Sequence, residues 1–156
     1  MLTRRLPPAE WAIRPARPDD SEALAALCSE HAAYEKIPCP GTGHAARLAA
    51  ALNAARFQAW LGLLDGEPIG YASATFDFST LSAQMFCHLD CLYLRPATRH
   101  LGLGKALLER VAACARDAGC SQLQWQTPIW NASAIRFYDR LGATRLEKQR
   151  YSLTLG

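Results

Sequence analysis

The stretch Arg99-His100-Leu101-Gly102-Leu103-Gly104-Lys105 decides how this chain is read. It follows an apolar run at 85–94 and opens an amphipathic segment ending near residue 118, which predicts a strand, a tight glycine-bearing turn and a helix start. The first turn of a helix leaves backbone N–H groups without intrahelical partners and carries the positive end of the helix dipole, so phosphate fits there. Gly102 and Gly104 lack the Cβ that would keep a ligand off the backbone, and Arg99 and Lys105 add positive charge at either edge. A Gly-x-Gly turn also serves as a plain helix entry, and the loop alone leaves both readings open. Two familiar phosphate loops are excluded. Ala106 stands where a nucleotide P-loop carries Ser or Thr, and Leu107 and Leu108 occupy the neighbourhood of a dinucleotide loop's third glycine.

Working outward from the loop, residues 11–14 form a short strand candidate, and Pro18-Asp19-Asp20-Ser21 starts a helix running to about Tyr34. The turn-forming stretch 38–43 ends it, and an Ala/Leu-rich helix follows over 44–56. Residues 57–64 and 69–76 read as a hairpin joined by Asp65-Gly66, and 85–94 as the next strand. Beyond the glycine turn, Ala106, Leu107, Arg110, Val111 and Cys114 line one flank of a helix that stops near Gly119. Residues 122–127 form a strand ended by Pro128, residues 131–142 a compact helix with Asn131 as N-cap and Gly142 as stop, and 144–155 a last strand. The order β-α-α-β-β-β-α-β-α-β predicts a mixed α/β fold with helices on both faces of one sheet.

A chain of 156 residues, half of them hydrophobic and 20% charged, makes one soluble globular domain, with about 1–9 as a flexible N-terminal extension. A net charge of +3 with scattered Lys and Arg disfavours a nucleic-acid partner. No apolar h-region follows the basic N-terminus and no window approaches a membrane span, so no membrane association and a cytoplasmic location are expected. The six cysteines, Cys28, Cys39, Cys87, Cys91, Cys114 and Cys120, are dispersed, which predicts reduced thiols and no metal site.

Three stretches converge on one family. The Arg99-x-x-Gly102-x-Gly104 loop, the strand before it and the Asn131…Tyr138 helix resemble the GCN5-related N-acetyltransferase (GNAT) superfamily in order and spacing, over nearly the whole chain. Trp130-Asn131, Ile135, Phe137-Tyr138, Gly142-Ala143, the strand His88-Leu89-Asp90-Cys91-Leu92-Tyr93-Leu94 and Ala33-Tyr34-Glu35 resemble its diamine (spermidine/spermine) branch. The resemblance implies a mixed sheet whose strands 85–94 and 122–127 splay apart, and acetyl transfer from acetyl-CoA, without metal, to a primary amine of a small molecule in a direct ternary complex. It implies that Arg99, His100, Leu101, Gly102, Leu103, Gly104 and Lys105 hold the pyrophosphate. Leu92, Tyr93 and Leu94 would pair their backbone with the pantetheine arm, and Asn131, Ala134 and Tyr138 would meet the cofactor near the thioester. It also implies a homodimer.

An alkylamine, with a pKa of about 10.4, is almost wholly protonated at pH 7 and needs a proton acceptor before it attacks. Asp90 is the candidate base, because a carboxylate in an apolar strand is costly unless paired or used; a structural ion pair is the other reading. His88, two residues earlier on the same face, could share that task or serve structure. Tyr138 lies four residues after Ala134 and seven after Asn131, so the three share a helix face, and a phenol there can protonate the leaving thiolate; an amphipathic core tyrosine is the alternative. Glu35, His88 and Asp90 are the candidate acceptor ligands. The diamine branch reads Leu-Glu-Asp where this chain has Leu89, Asp90 and Cys91, which keeps two other readings open: an acceptor that is an amino acid, a thialysine-like compound or a protein amine, and a non-catalytic CoA-binding regulatory domain. A packing role for Cys91 outweighs a ping-pong nucleophile.

Overall fold

A computed structural model describes residues 10–38 and 41–156; the extension expected at 1–9 lies outside the described residues, as do Cys39 and Pro40. The chain divides into two compact units, 1–125 and 126–156. The first contains β1 (Trp11–Pro15), α1 (Ser21–Tyr34), α2 (His44–Asn53), β2 (Gln58–Leu64), β3 (Glu67–Ser79), β4 (Gln84–Leu94), α3 (Leu103–Asp117) and β5 (Leu123–Gln124), and the second contains α4 (Ala132–Arg140). The fold class is the expected mixed α/β, an open five-stranded sheet in the order β1-β2-β3-β4-β5. All pairs are antiparallel except β4 with β5, which is parallel.

Local chemistry accounts for most boundaries. Asp65 and Gly66 both take positive φ, 48° and 84°, the conformation a two-residue hairpin needs to match the twist of its strands. The second helix stops at Asn53 rather than near 56, and Ala55 just beyond it adopts a φ of 51° that no helix continues through.

Alternation along β2 assigns the helices to opposite faces. Ala59 and Leu61 join Leu24 and Leu27 of α1, Tyr71 of β3 and Tyr93 of β4 in one buried cluster, against which Leu48 and Leu52 of α2 also lie. The intervening residues face α3: a Cβ on Gly62 would stand 3.1 Å from Leu103, and the Cys114 thiol donates to the Gln58 side chain at 3.0 Å. Gly70 leaves no room for a side chain between β3 and β4, since a Cβ there would collide with the Leu94 side chain and lie 2.6 Å from the Tyr93 carbonyl oxygen. Gly70→Ala should therefore lower unfolding stability by about 1–3 kcal/mol through overpacking against backbone, which a urea titration reads as a reduced midpoint at constant slope.

Two features of β4 shape the site. Its register against β3 runs Ser73↔Cys91 and then Ala74↔Leu89, so Asp90 is the extra residue of a β-bulge. Its parallel ladder with β5 covers only Cys87↔Leu123 and His88↔Gln124, so among the described residues no strand pairs on that side from Leu89 to the end of β4, as expected of splayed strands.

Two strand expectations need correction. The strand expected over 122–127 is reduced to Leu123–Gln124, because its ladder ends where the β4 bulge begins. The last strand expected over 144–155 is absent: Tyr151, Leu153 and Leu155 alternate as a strand should, but each is at least 84% exposed and no ladder includes them. Alternation supplies a face to bury; pairing makes the strand. Among the described residues no helix is long and apolar enough to cross a membrane.

Candidate active site

The glycine loop is built as its sequence predicts. Gly102 is the N-cap of α3 with φ 83°, and His100 takes φ 67°, so the chain passes twice through left-handed backbone before the helix begins. The first intrahelical bond runs from the Ala106 N–H to the Gly102 carbonyl at 3.1 Å, which leaves the amides of residues 103–105 without intrahelical acceptors. A Cβ on Gly102 would meet nothing within 4 Å, so the backbone there is open to close approach. Lys105 is exposed and pairs loosely with Glu109 one turn on, at 3.6 Å. Arg99 turns back instead: its Nε donates to the Leu94 carbonyl at 3.1 Å and its guanidinium lies 4.9 Å over the Tyr34 ring, tying the loop to β4 and the end of α1.

Among the described residues, the β4 segment leading into the loop, Leu92, Tyr93 and Leu94, is hydrogen-bonded to β3 on one side only. This is the arrangement an extended ligand needs in order to add itself as a further strand.

The bulge brings together residues that a regular strand would separate. Cys91 and Tyr93 face α1 with Ser73 and Tyr71; past the bulge the phase reverses, so that Leu89 pairs with Ala74 and His88 with Thr75. Asp90 thereby stands beside both neighbours, with Oδ1 3.8 Å from His88 Nε2 and Oδ2 accepting from the Cys91 thiol at 3.6 Å. Its side chain is 64% exposed. Asp90 is therefore not embedded in the apolar strand as its sequence neighbours suggest: the bulge turns its carboxylate out to solvent. Burial, with the Asp90 charge adding to it, pushes the Cys91 thiol up to about 12, which keeps it protonated and a poor nucleophile.

Above this cluster the end of α1 carries two carboxylates in different states. Glu30 is gripped by Arg95, whose Nε and Nη2 reach it at 3.0 and 2.8 Å, and this pairing holds the Glu30 carboxyl below its usual range. Glu35 lies 3.3 Å from His31 Nε2. His31 Nδ1 is 2.9 Å from the Tyr71 hydroxyl, which also neighbours the thiols of Cys28 and Cys91. A chain of contacts thus joins Glu35 through His31, Tyr71 and Cys91 to Asp90, which places the expected acceptor residues Glu35, His88 and Asp90 on one side of the sheet. The sequence reading missed His31, Tyr71, Glu30 and Arg95. His31 and Glu35 at i,i+4 on a predicted helix carry a usable signature, whereas Tyr71 and Arg95 lie 40 and 65 residues from their partners and carry none.

In the second unit Asn131 caps α4 as expected: it is buried, and its Oδ1 accepts from the Ala134 N–H at 3.3 Å and from the Ser133 hydroxyl at 3.4 Å. Tyr138 is half-buried one turn beyond Ala134, its ring 5.2 Å from that of Phe137.

Residues 24–143 match the model of a family described as the Acetyltransferase (GNAT) family. The chain is similar to a thialysine N-epsilon-acetyltransferase of Caenorhabditis elegans, at 30% identity over 131 residues, covering 84% of this chain and 81% of that protein. It is 36% identical over 86 residues to the protein of the same name from Bos taurus, spanning 52% of this chain and 50% of the bovine one. Among solved structures, an aminoglycoside N-acetyltransferase in complex with CoA shares the fold, with a TM-score of 0.80 at 21% identity over 96% of this chain and 99% of that one.

Proposed function

The chain belongs to the GNAT acetyltransferase family, whose members transfer acetyl from acetyl-CoA to amines, and on that premise we propose that its acceptor is the side-chain amine of a short diamino acid of the thialysine type. The observation that carries this reading is the bidentate Arg95–Glu30 pair. A polyamine presents a row of ammonium groups and calls for several available carboxylates. Of Glu30, Glu35 and Asp90, Glu30 is committed to Arg95, which leaves one carboxylate for the reacting amine and one for a second cationic group. The thialysine acetyltransferase name of two relatives supports the same choice.

When bound, acetyl-CoA supplies the thioester. The open backbone at Gly102 and the amides of residues 103–105 fit a pyrophosphate, with Arg99, His100, Leu101 and Lys105 completing the loop. The unpaired side of Leu92, Tyr93 and Leu94 fits an extended pantetheine arm. Asp90, with His88 beside it, takes the proton that the ammonium must lose. Glu35 pairs with the second cationic group. By the family pattern, Asn131 and Ala134 contact the cofactor arm and Tyr138 returns a proton to the departing sulfur.

A panel of acceptors tests the proposal. Thialysine, ornithine or lysine should exceed spermidine in kcat/KM by on the order of tenfold, the discrimination expected when one charged contact has no available partner. A preference for spermidine would overturn the diamino-acid assignment.

A further inference from the structure

We propose that His31, oriented by Tyr71, is a positioning residue that presents Glu35 to the acceptor's second cationic group, an inference that rests on the reading of Glu35 as an acceptor ligand. Glu35 is the C-cap residue of α1, where the negative end of the helix dipole disfavours a carboxylate. Its Oε1 is nevertheless held 3.3 Å from His31 Nε2 one turn earlier. The imidazole has little freedom to do otherwise. Its side chain is only 12% exposed, its face stacks on Tyr93 at 5.2 Å and 17°, and its edge meets Tyr71 at 5.9 Å and 69°.

Hydrogen bonding then fixes which nitrogen serves Glu35. Nε2 faces an acceptor-only carboxylate and so carries a proton, and in the neutral ring Nδ1 is left to accept from the Tyr71 hydroxyl at 2.9 Å. Tyr71 is 2% exposed, and burial pushes its phenol strongly upward, so it remains a donor. A carboxylate–imidazole–phenol series thus runs from a half-buried substrate-side group into the core, as outer groups do when they orient an inner one. It reaches Glu35 and not Glu30, whose carboxylate Arg95 already holds.

Steady-state kinetics of the whole chain with thialysine, and with butylamine as an acceptor lacking the second cation, test this role. His31→Leu should raise KM for thialysine about tenfold, the worth of one hydrogen bond to a charged group, with the change carried by KM rather than kcat and with KM for butylamine unmoved. His31→Gln, which keeps an N–H donor near the Nε2 position, should recover most of that loss. Tyr71→Phe, which removes only the hydroxyl, should shift KM in the same direction if His31→Leu proves too unstable to assay. In a Glu35→Gln background His31→Leu should add nothing. The inference is overturned if Glu35→Gln raises KM for thialysine while His31→Leu and Tyr71→Phe do not, or if the two acceptors suffer equally. If Glu35→Gln itself leaves KM unchanged, the acceptor role of Glu35 fails, and the inference fails with it.

Discussion

Gly102→Val should weaken CoA binding by orders of magnitude while the protein stays folded. The loop can hold a pyrophosphate only if the phosphate oxygens reach the amides of residues 103–105, and the backbone at Gly102 is open because no side chain stands there. An isopropyl group would fill that space. Losing two hydrogen bonds to a charged oxygen, at about 1.5–3 kcal/mol each, weakens the complex by on the order of 10²–10⁴-fold. The substitution also forces a β-branched residue into a φ of 83°, which costs roughly 1–3 kcal/mol of stability. Gly119→Val separates the two effects. Gly119 has φ 77°, lies beyond the other end of α3 and likewise has nothing within 4 Å of its Cβ position. It should show a similar drop in Tm and an unchanged Kd for CoA. Calorimetric titration of both variants decides the matter: normal CoA affinity in Gly102→Val would remove the loop from the donor site.

What was legible in the sequence was mostly local. The αL glycine before α3, the Asp65-Gly66 hairpin and the Asn131 cap are each dictated by chemistry within four residues, and each is found where it is expected. What escaped depends on partners. The bulge at Asp90 carries no glycine to mark it, yet that one extra residue reverses the phase of β4, exposes Asp90 and gathers His88 and Cys91 around it. The same bulge limits β5 to two residues, which periodicity over 122–127 could not foresee. The segment 144–155 shows the converse, a strand pattern without a ladder. Arg99 was legible as a charge at the loop but not as a tether, because its partners, the Leu94 carbonyl and the Tyr34 ring, are set by how β4 meets α1.

Tyr138→Phe should lower kcat by about 10²–10⁴-fold, the usual worth of a positioned general acid, with little change in Kd for CoA. The size of the effect follows from the departing group. A departing thiolate is stabilised by gaining a proton, and a phenol, with an ordinary pKa of about 10, can give it one while remaining protonated itself at pH 7. Phenylalanine keeps the ring, and so keeps the 5.2 Å contact with Phe137 and the fill of the α4 face; only the hydroxyl is lost. Packing and catalysis therefore separate in this variant. A structural tyrosine would show up as a lower Tm with kcat intact, whereas the general acid shows up as the reverse. Product release can mask a chemical step, so the comparison belongs under conditions where kcat is insensitive to added viscogen. An unchanged kcat there would take Tyr138 out of the proton transfer and leave the departing sulfur to be protonated by solvent.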